Sequence, residues 1–430
     1  MKEKYLLNAR IIDPKNQIDE LGGLIIESNG SIKAVGKKVT KDNIPSNSDK
    51  IDLKNKILLP GLVDMRVFVG EPGYEYKENF RTLSNAALSG GVTSIVSMPN
   101  TSPVIDNVSM VDFLKRRGRD KSKINIFPAA SLTKNTEGKE MTEFGLLKKK
   151  GIIGFTDGIK TVQDPQLMAR IMNFASQSNS LIMQHAEDNI LSNGGSINEG
   201  EISTRLGLKG IPSLAEKIIV ERDLSFLEEY FCRYHISQIS SEKALSVIRR
   251  NKDEGIIFSA GVSINNLSLN ENDIGDFKTF LKLSPPLRTE KDRVSLVKGI
   301  NDGSIDVIVS DHKPEDEESK RLTFSQAATG ATGVETLLPL ALELYHNKLI
   351  KLEKLISLMT SNPSKILGID KGTLEVGKDA DLCVLDINKP WVVKQNELRS
   401  KSKNTPIENR MLQGQVIKTF VKGEIVFERN

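Results

Sequence analysis

The chain has 430 residues, of which 38% are hydrophobic and 27% charged, with a formal net charge of +4. This balance fits a globular protein with a large core, built as one large domain plus an appendage or as two to three ordinary domains. No apolar run approaches the roughly 20 residues that span a bilayer, and no basic stripe is interleaved with aromatics, so membrane and nucleic-acid partners are not expected.

The start, Met1-Lys2-Glu3-Lys4-Tyr5-Leu6-Leu7, carries charge where a signal peptide needs an apolar stretch, so a cytoplasmic location is expected. Tyr5–Ile12, Gly23–Glu27 and Ile32–Val35 then read as short alternating strands, with Asn29-Gly30 predicting a type I′ hairpin turn. From residue 58 onward, eight runs rich in Val, Ile or Phe follow one another: Leu58–Val63, Thr93–Met98, Asn125–Ala129, Ile152–Phe155, Leu181–Met183, Tyr234–Ser237, Ile256–Ala260 and Ile305–Val309. Between them lie segments with apolar residues three and four apart, among them Met110–Arg119, Leu167–Ser176, Glu242–Asp253, Glu290–Asn301 and Glu335–His346.

Strands alternating with helices predict parallel βα units, and eight of them predict an α/β (β/α)₈ TIM-type barrel. Such a barrel gathers its site at the carboxyl ends of the strands. The polar residues after the runs fall there: Asp64, Asn100, Asp157, His185, Gln238, Ser263, Asp311 and His312. Strand-like Ala380–Leu385 and Val416–Val426 close the sequence. The expected division is a barrel over residues 58–372 and a small composite β-sandwich from residues 1–57 and 373–430. Gly90-Gly91 reads as a helix stop, and Lys148–Lys150 as the positive complement to a helix end. The two cysteines, Cys232 and Cys383, lack Cys-x-x-Cys spacing and read as packing residues.

The first barrel run leads into Pro60-Gly61-Leu62-Val63-Asp64-Met65-Arg66-Val67-Phe68-Val69-Gly70-Glu71-Pro72-Gly73. This resembles the dihydroorotase signature of the amidohydrolase superfamily, Pro-Gly-x-x-Asp-x-His-x-His-x-Arg-Glu-Pro-Gly. Met98-Pro99-Asn100-Thr101, Phe155-Thr156-Asp157-Gly158, Gln184-His185-Ala186-Glu187, Tyr234-His235-Ile236-Ser237 and Ser310-Asp311-His312-Lys313-Pro314 are similar to later family segments, and the resemblance spans nearly the whole chain.

It implies Asn100 and Arg288 as substrate contacts, Asp157, His185, His235 and Asp311 as metal ligands, and Asp311 as general base. The departures are systematic. Arg66 and Phe68 stand at the two first-strand histidines and Gly70 at a substrate-binding arginine. Asn265-Asn266, Ser284 and Glu315 replace further family residues.

Opening a cyclic amide needs a strong nucleophile, which metal-bound water supplies because its pKa falls to about 7. An arginine places a permanent cation where the ion belongs. Either one zinc at most survives on Asp157, His185, His235 and Asp311, or Arg66 pairs with Asp311 or Asp157 in place of the metal.

The resemblance therefore carries two expectations. One is a non-catalytic subunit of de novo pyrimidine biosynthesis that partners aspartate carbamoyltransferase. The other is an active dihydroorotase, interconverting N-carbamoyl-L-aspartate and dihydroorotate at a reduced site. A third reading, a sensor of pyrimidine-pathway small molecules through Asn100 and Arg288, stays open. A homo-oligomer is expected in either case. Hydantoinase-like chemistry fits less well, because those relatives carry a modified lysine where this chain has Asp157.

Overall fold

The computed structural model describes residues 2–40 and 48–429, so 41–47 of the expected amino-terminal unit lie outside the described residues. The barrel strands are Leu62–Val67, Val92–Ser97, Asn125–Pro128, Leu181–Gln184, Arg233–Ile239, Ser259–Ser263 and Val307–Val309, all paired in parallel. The fourth position is Phe155, which bridges Ala130 on one side and Ile182 on the other. A parallel bridge from Val67 to His312 closes the ring.

The outer helices form for reasons visible in the chain. Asp164 caps the helix Pro165–Ser178, with Pro165 at its first position and left-handed Asn179 at its end. Thr289 and Asp292 form a capping box on Glu290–Asp302, and Ser241 caps Glu242–Asp253. Gly90 and Gly91 end the helix Phe80–Ser89; Gly91 has φ +78° and the Gly90 N–H donates to carbonyls of the last turn.

The two chain ends build one eight-stranded sheet. Its order is Glu424–Glu428, Met411–Val421, Leu382–Val392, Ile57–Pro60, Lys4–Asp13, Ile18–Ile26 and Ile32–Gly36, with Asp49–Asp52 beside Lys4–Asp13. The sheet curls over its own core, in which Leu6, Ile11, Leu24 and Ile32 meet Leu382, Val384 and Phe420. Asp381 fastens it to the barrel by accepting from Asn125 Nδ2 at 2.8 Å and Lys371 Nζ at 2.7 Å.

Four details differ from the sequence expectation. Leu58–Val63 is not one strand: Ile57–Pro60 joins the terminal sheet, and the barrel begins at Leu62. Gly61 makes this switch, since a Cβ there would lie 2.1 Å from Thr93 Oγ1. The seventh strand is Ser259–Ser263 rather than 256–260, which brings Ser263 to the strand end. Val416–Val426 is two strands joined at Lys422-Gly423. At the Asn29-Gly30 turn Gly30 takes φ +90° while Asn29 keeps a negative φ, so it is a turn with a glycine bulge rather than type I′.

Candidate functional site at the barrel mouth

The first-strand residues decide the centre. Arg66 is buried at 2% exposure, and its Nε donates to Asp311 Oδ1 at 2.9 Å. Its Nη1 donates to the Gly158 carbonyl at 3.2 Å, while Nη2 has no partner among the described residues. The guanidinium carbon stands 5.4 Å from the centre of the Phe68 ring. A register shift between Asp64 and Val67 accompanies this placement, and such bulges re-aim side chains beside sites.

Asp311 follows the eighth strand with φ +49°, a strained conformation that Asp tolerates better than most residues. Burial raises its carboxyl above the ordinary range, with the Arg66 charge opposing. The ion pair answers which carboxylate Arg66 takes: it takes Asp311.

Asp157 does not face this pair. Its Oδ1 accepts from Thr133 N at 3.0 Å and its Oδ2 from Thr133 Oγ1 at 2.6 Å. Burial pushes this carboxyl up to about 6, against those hydrogen bonds. Thr133→Val is expected to cost about 1–3 kcal/mol, because one oxygen would stay buried without its donor; urea denaturation near pH 8 checks this.

His185 and His235 are both buried, and burial, followed by the charge of Arg66, holds each down to about 3. His235 Nδ1 meets Ser259 Oγ at 2.8 Å, and His185 Nε2 meets Ser284 Oγ at 3.4 Å. The opposite ring nitrogens, His185 Nδ1 and His235 Nε2, have no partner among the described residues. Ser284 is tied in through its carbonyl, which accepts from Gln238 Nε2 at 2.9 Å.

These residues do not fit a metal ion. Arg66 brings a cation, Phe68 has no lone pair, Asp157 is spent on Thr133, and Asp311 on Arg66. Two bare imidazole nitrogens remain as donors. Among the described residues no group of three His, Cys, Asp or Glu side chains is arranged to hold a metal. The expected ligand set of Asp157, His185, His235 and Asp311 is thus not assembled. A structural metal site closes on four ligands and a catalytic one on three.

Asn100 is at the mouth: it lines a cleft of about 510 Å³, with its Nδ2 on the Asp157 carbonyl at 3.0 Å and its Oδ1 without a partner among the described residues. Gly158 permits this, since a Cβ there would fall 1.5 Å from Asn100 Oδ1. Arg288 does not line that cleft. Its guanidinium is spent on Asn198 Oδ1 at 2.9 Å, the Ile211 carbonyl at 2.5 Å and Ser240 Oγ at 3.1 Å. Its role in this structure is to fasten the 197–211 segment. His312 is structural too, with Nδ1 accepting from Gly333 N at 3.1 Å.

The same cleft is lined by four residues without an expected role, Tyr74, Lys77, Lys160 and Lys313, beside Glu315, which replaces a family residue. Lys313 lies inside the Ser-Asp-His-Lys-Pro segment and Lys77 just beyond the Glu-Pro-Gly segment, so proximity to both motifs was the available signal.

Barrel, terminal sheet and strand-end site together define a chain of the amidohydrolase class with an altered centre. A family description, Dihydro-orotase-like, matches residues 55–244, and a second, Amidohydrolase family, matches 327–427. The dihydroorotase of Syntrophus aciditrophicus (strain SB) is 43% identical over 425 residues, 99% of each chain. That of Ehrlichia canis (strain Jake) is 40% identical over 98% of this chain and 94% of its own.

Among solved structures, the L-hydantoinase (dihydropyrimidinase) of Arthrobacter aurescens matches with a TM-score of 0.88 at 24% identity, covering 100% of this chain and 96% of that one. The dihydropyrimidinase of Brevibacillus agri NCHU1002 matches at 0.85 and 20%, covering 99% and 95%. At such identities these two establish the fold alone. The chain belongs to the dihydroorotase family.

Proposed function

We propose that this chain is a non-catalytic dihydroorotase homologue of pyrimidine biosynthesis that acts as a subunit beside aspartate carbamoyltransferase. The observation that carries the reading is the Arg66–Asp311 ion pair. It sets a fixed cation where the family's reaction needs a Lewis acid, and it occupies the carboxylate needed as general base. A base acting without a metal contributes roughly 10²–10⁴-fold, far short of what amide opening requires. The retained barrel, with its buried core intact, is what a scaffold needs.

The test has three readouts. Purified without chelator, the chain is expected to carry no stoichiometric zinc and no zinc-dependent hydrolysis of dihydroorotate, and to co-purify with the transferase of its own cell. About one zinc per chain, with a hydrolysis rate abolished by Asp311→Ala, establishes the alternative instead: an active dihydroorotase with a single-metal site. The bare nitrogens of His185 and His235 are the observation that keeps this alternative in view. Transferase that is fully assembled without this chain refutes the partner assignment. The double variant Arg66→His/Phe68→His frees Asp311 and adds two imidazoles, so it is expected to bind about one zinc by elemental analysis.

A further inference from the structure

The cleft above the altered centre has a charge that the centre does not explain. Its volume of about 510 Å³ falls within the range of small-molecule sites. Its charged lining is Lys77, Lys160, Lys313 and Glu315. Glu315 is buried, and its two oxygens are shared out to Lys77 Nζ at 2.5 Å and Lys313 Nζ at 2.8 Å. Both lysine side chains stay partly open, at 23% and 20% exposure. Lys160 is exposed and donates to a neutral partner, the Thr136 carbonyl, at 3.0 Å.

Three lysines and one glutamate thus line the cleft, a formal excess of two positive charges. Lys320 lies behind Glu315, buried at 2% exposure and donating to the Ala328 carbonyl at 2.6 Å. Burial holds it down to about 7, with Lys313, Lys282 and Lys77 pressing the same way.

Among the described residues no arginine lines the cleft, and Gly70 stands in its wall. The planar fork that grips carboxylates and phosphates alike is therefore missing, and the cleft offers instead compact ammoniums, which hold a phosphate as point charges. The wall beside the lysines is apolar and aromatic, formed by Phe68, Tyr74, Pro103 and Ile159.

We propose that the mouth cleft binds a phosphate-bearing small molecule with a flat ring, of mononucleotide size, its phosphate held by Lys160 and Lys313 and its ring against Tyr74 and Phe68. The site stands on the cleft's own residues and does not depend on whether the chain is catalytic or has a protein partner.

Titration calorimetry on the full chain at low ionic strength tests it, with inorganic phosphate, pyrophosphate, uridine 5′-monophosphate, adenosine 5′-monophosphate and citrate as probes. Saturable binding of pyrophosphate and of the nucleotides is expected, weakening as salt rises. Lys160→Gln is expected to weaken it about tenfold, the scale of one charged hydrogen bond, and Lys160→Gln/Lys313→Gln further. Lys148→Gln, on a helix end away from the cleft, is expected to change nothing. If the double variant fails to fold, Lys160→Glu alone is expected to abolish binding.

No saturable heat from any phosphate, citrate binding as tightly as pyrophosphate, or indifference to the Lys160 substitutions would each overturn the site. Inorganic phosphate binding as tightly as the nucleotides would overturn the ring contact.

Discussion

Arg66→Met is expected to destabilise the fold by about 3–5 kcal/mol near pH 8, because it strands a buried carboxylate without its cation. Arg66 and Asp311 meet at 2.9 Å with side-chain exposures of 2% and 10%, so little water is at hand to take over. The pair itself is worth far less than its breaking costs, since both ions were already taken out of water. Arg66→Met/Asp311→Leu should therefore recover most of the loss.

Asp311 also has an escape, which is to protonate. In the single variant its carboxyl, already raised by burial and relieved of the opposing arginine, moves further up. The cost should accordingly shrink as pH is lowered toward about 5. Urea denaturation of the two variants at both pH values reads this. A single variant that costs under about 1 kcal/mol near pH 8 would mean that the pair is not a buried one. A double variant as unstable as the single would mean that the loss comes from packing.

The second large effect concerns acid. His185 and His235 are held down to about 3 in the fold, against 6.5 ordinarily. Between those values the unfolded chain binds protons that the native state refuses, so their contribution is whole above pH 6.5 and is lost as pH falls. Asp64 and Asp157 work the other way: burial pushes each up to about 6 from 3.8, so the native state binds the extra proton between pH 6 and 3.8.

Two falling and two rising contributions offset each other between pH 6 and 4, and below 3.8 these two aspartates no longer offset the histidine loss. In His185→Gln/His235→Gln the offset disappears. Its stability relative to the parent is expected to improve by roughly 2–3 kcal/mol per pH unit as pH falls from 6 to 4. Parallel stability curves for the two proteins across that window would show that the imidazoles are not buried neutral.

The sequence carried the fold and the family, because both are written in local patterns. Strand and helix periods alternate along the middle of the chain, and hydrophobic burial converts that alternation into a barrel. Gly61 and Gly158 belong to the motifs because close packing at Thr93 and Asn100 leaves no room for a Cβ there. Arg66 and Phe68 were equally legible as replacements of ligands, since neither side chain has a lone pair with which to coordinate a metal ion. The strand boundaries near 60 and 260 were not legible. Pro60-Gly61 interrupts Leu58–Val63, but the run is apolar on both sides of it, and only the pairing partners show that two sheets share it.

The tertiary structure alone decided where each polar group is spent. Asp157 and Asp311 are both aspartates at strand ends. Yet one is consumed by Thr133, a residue 24 positions away, and the other by Arg66, 245 positions away. Arg288 looked like a pocket residue by motif, but the 197–211 segment claims its guanidinium. Lys77, Lys160 and Lys313 are dispersed along the chain and meet around one cleft because the barrel brings the loops after its first, fourth and eighth strands together. A carboxylate or an ammonium has a fixed charge in the sequence, but its partner is set by three-dimensional proximity. In this chain that choice separates a metal centre from an ion pair.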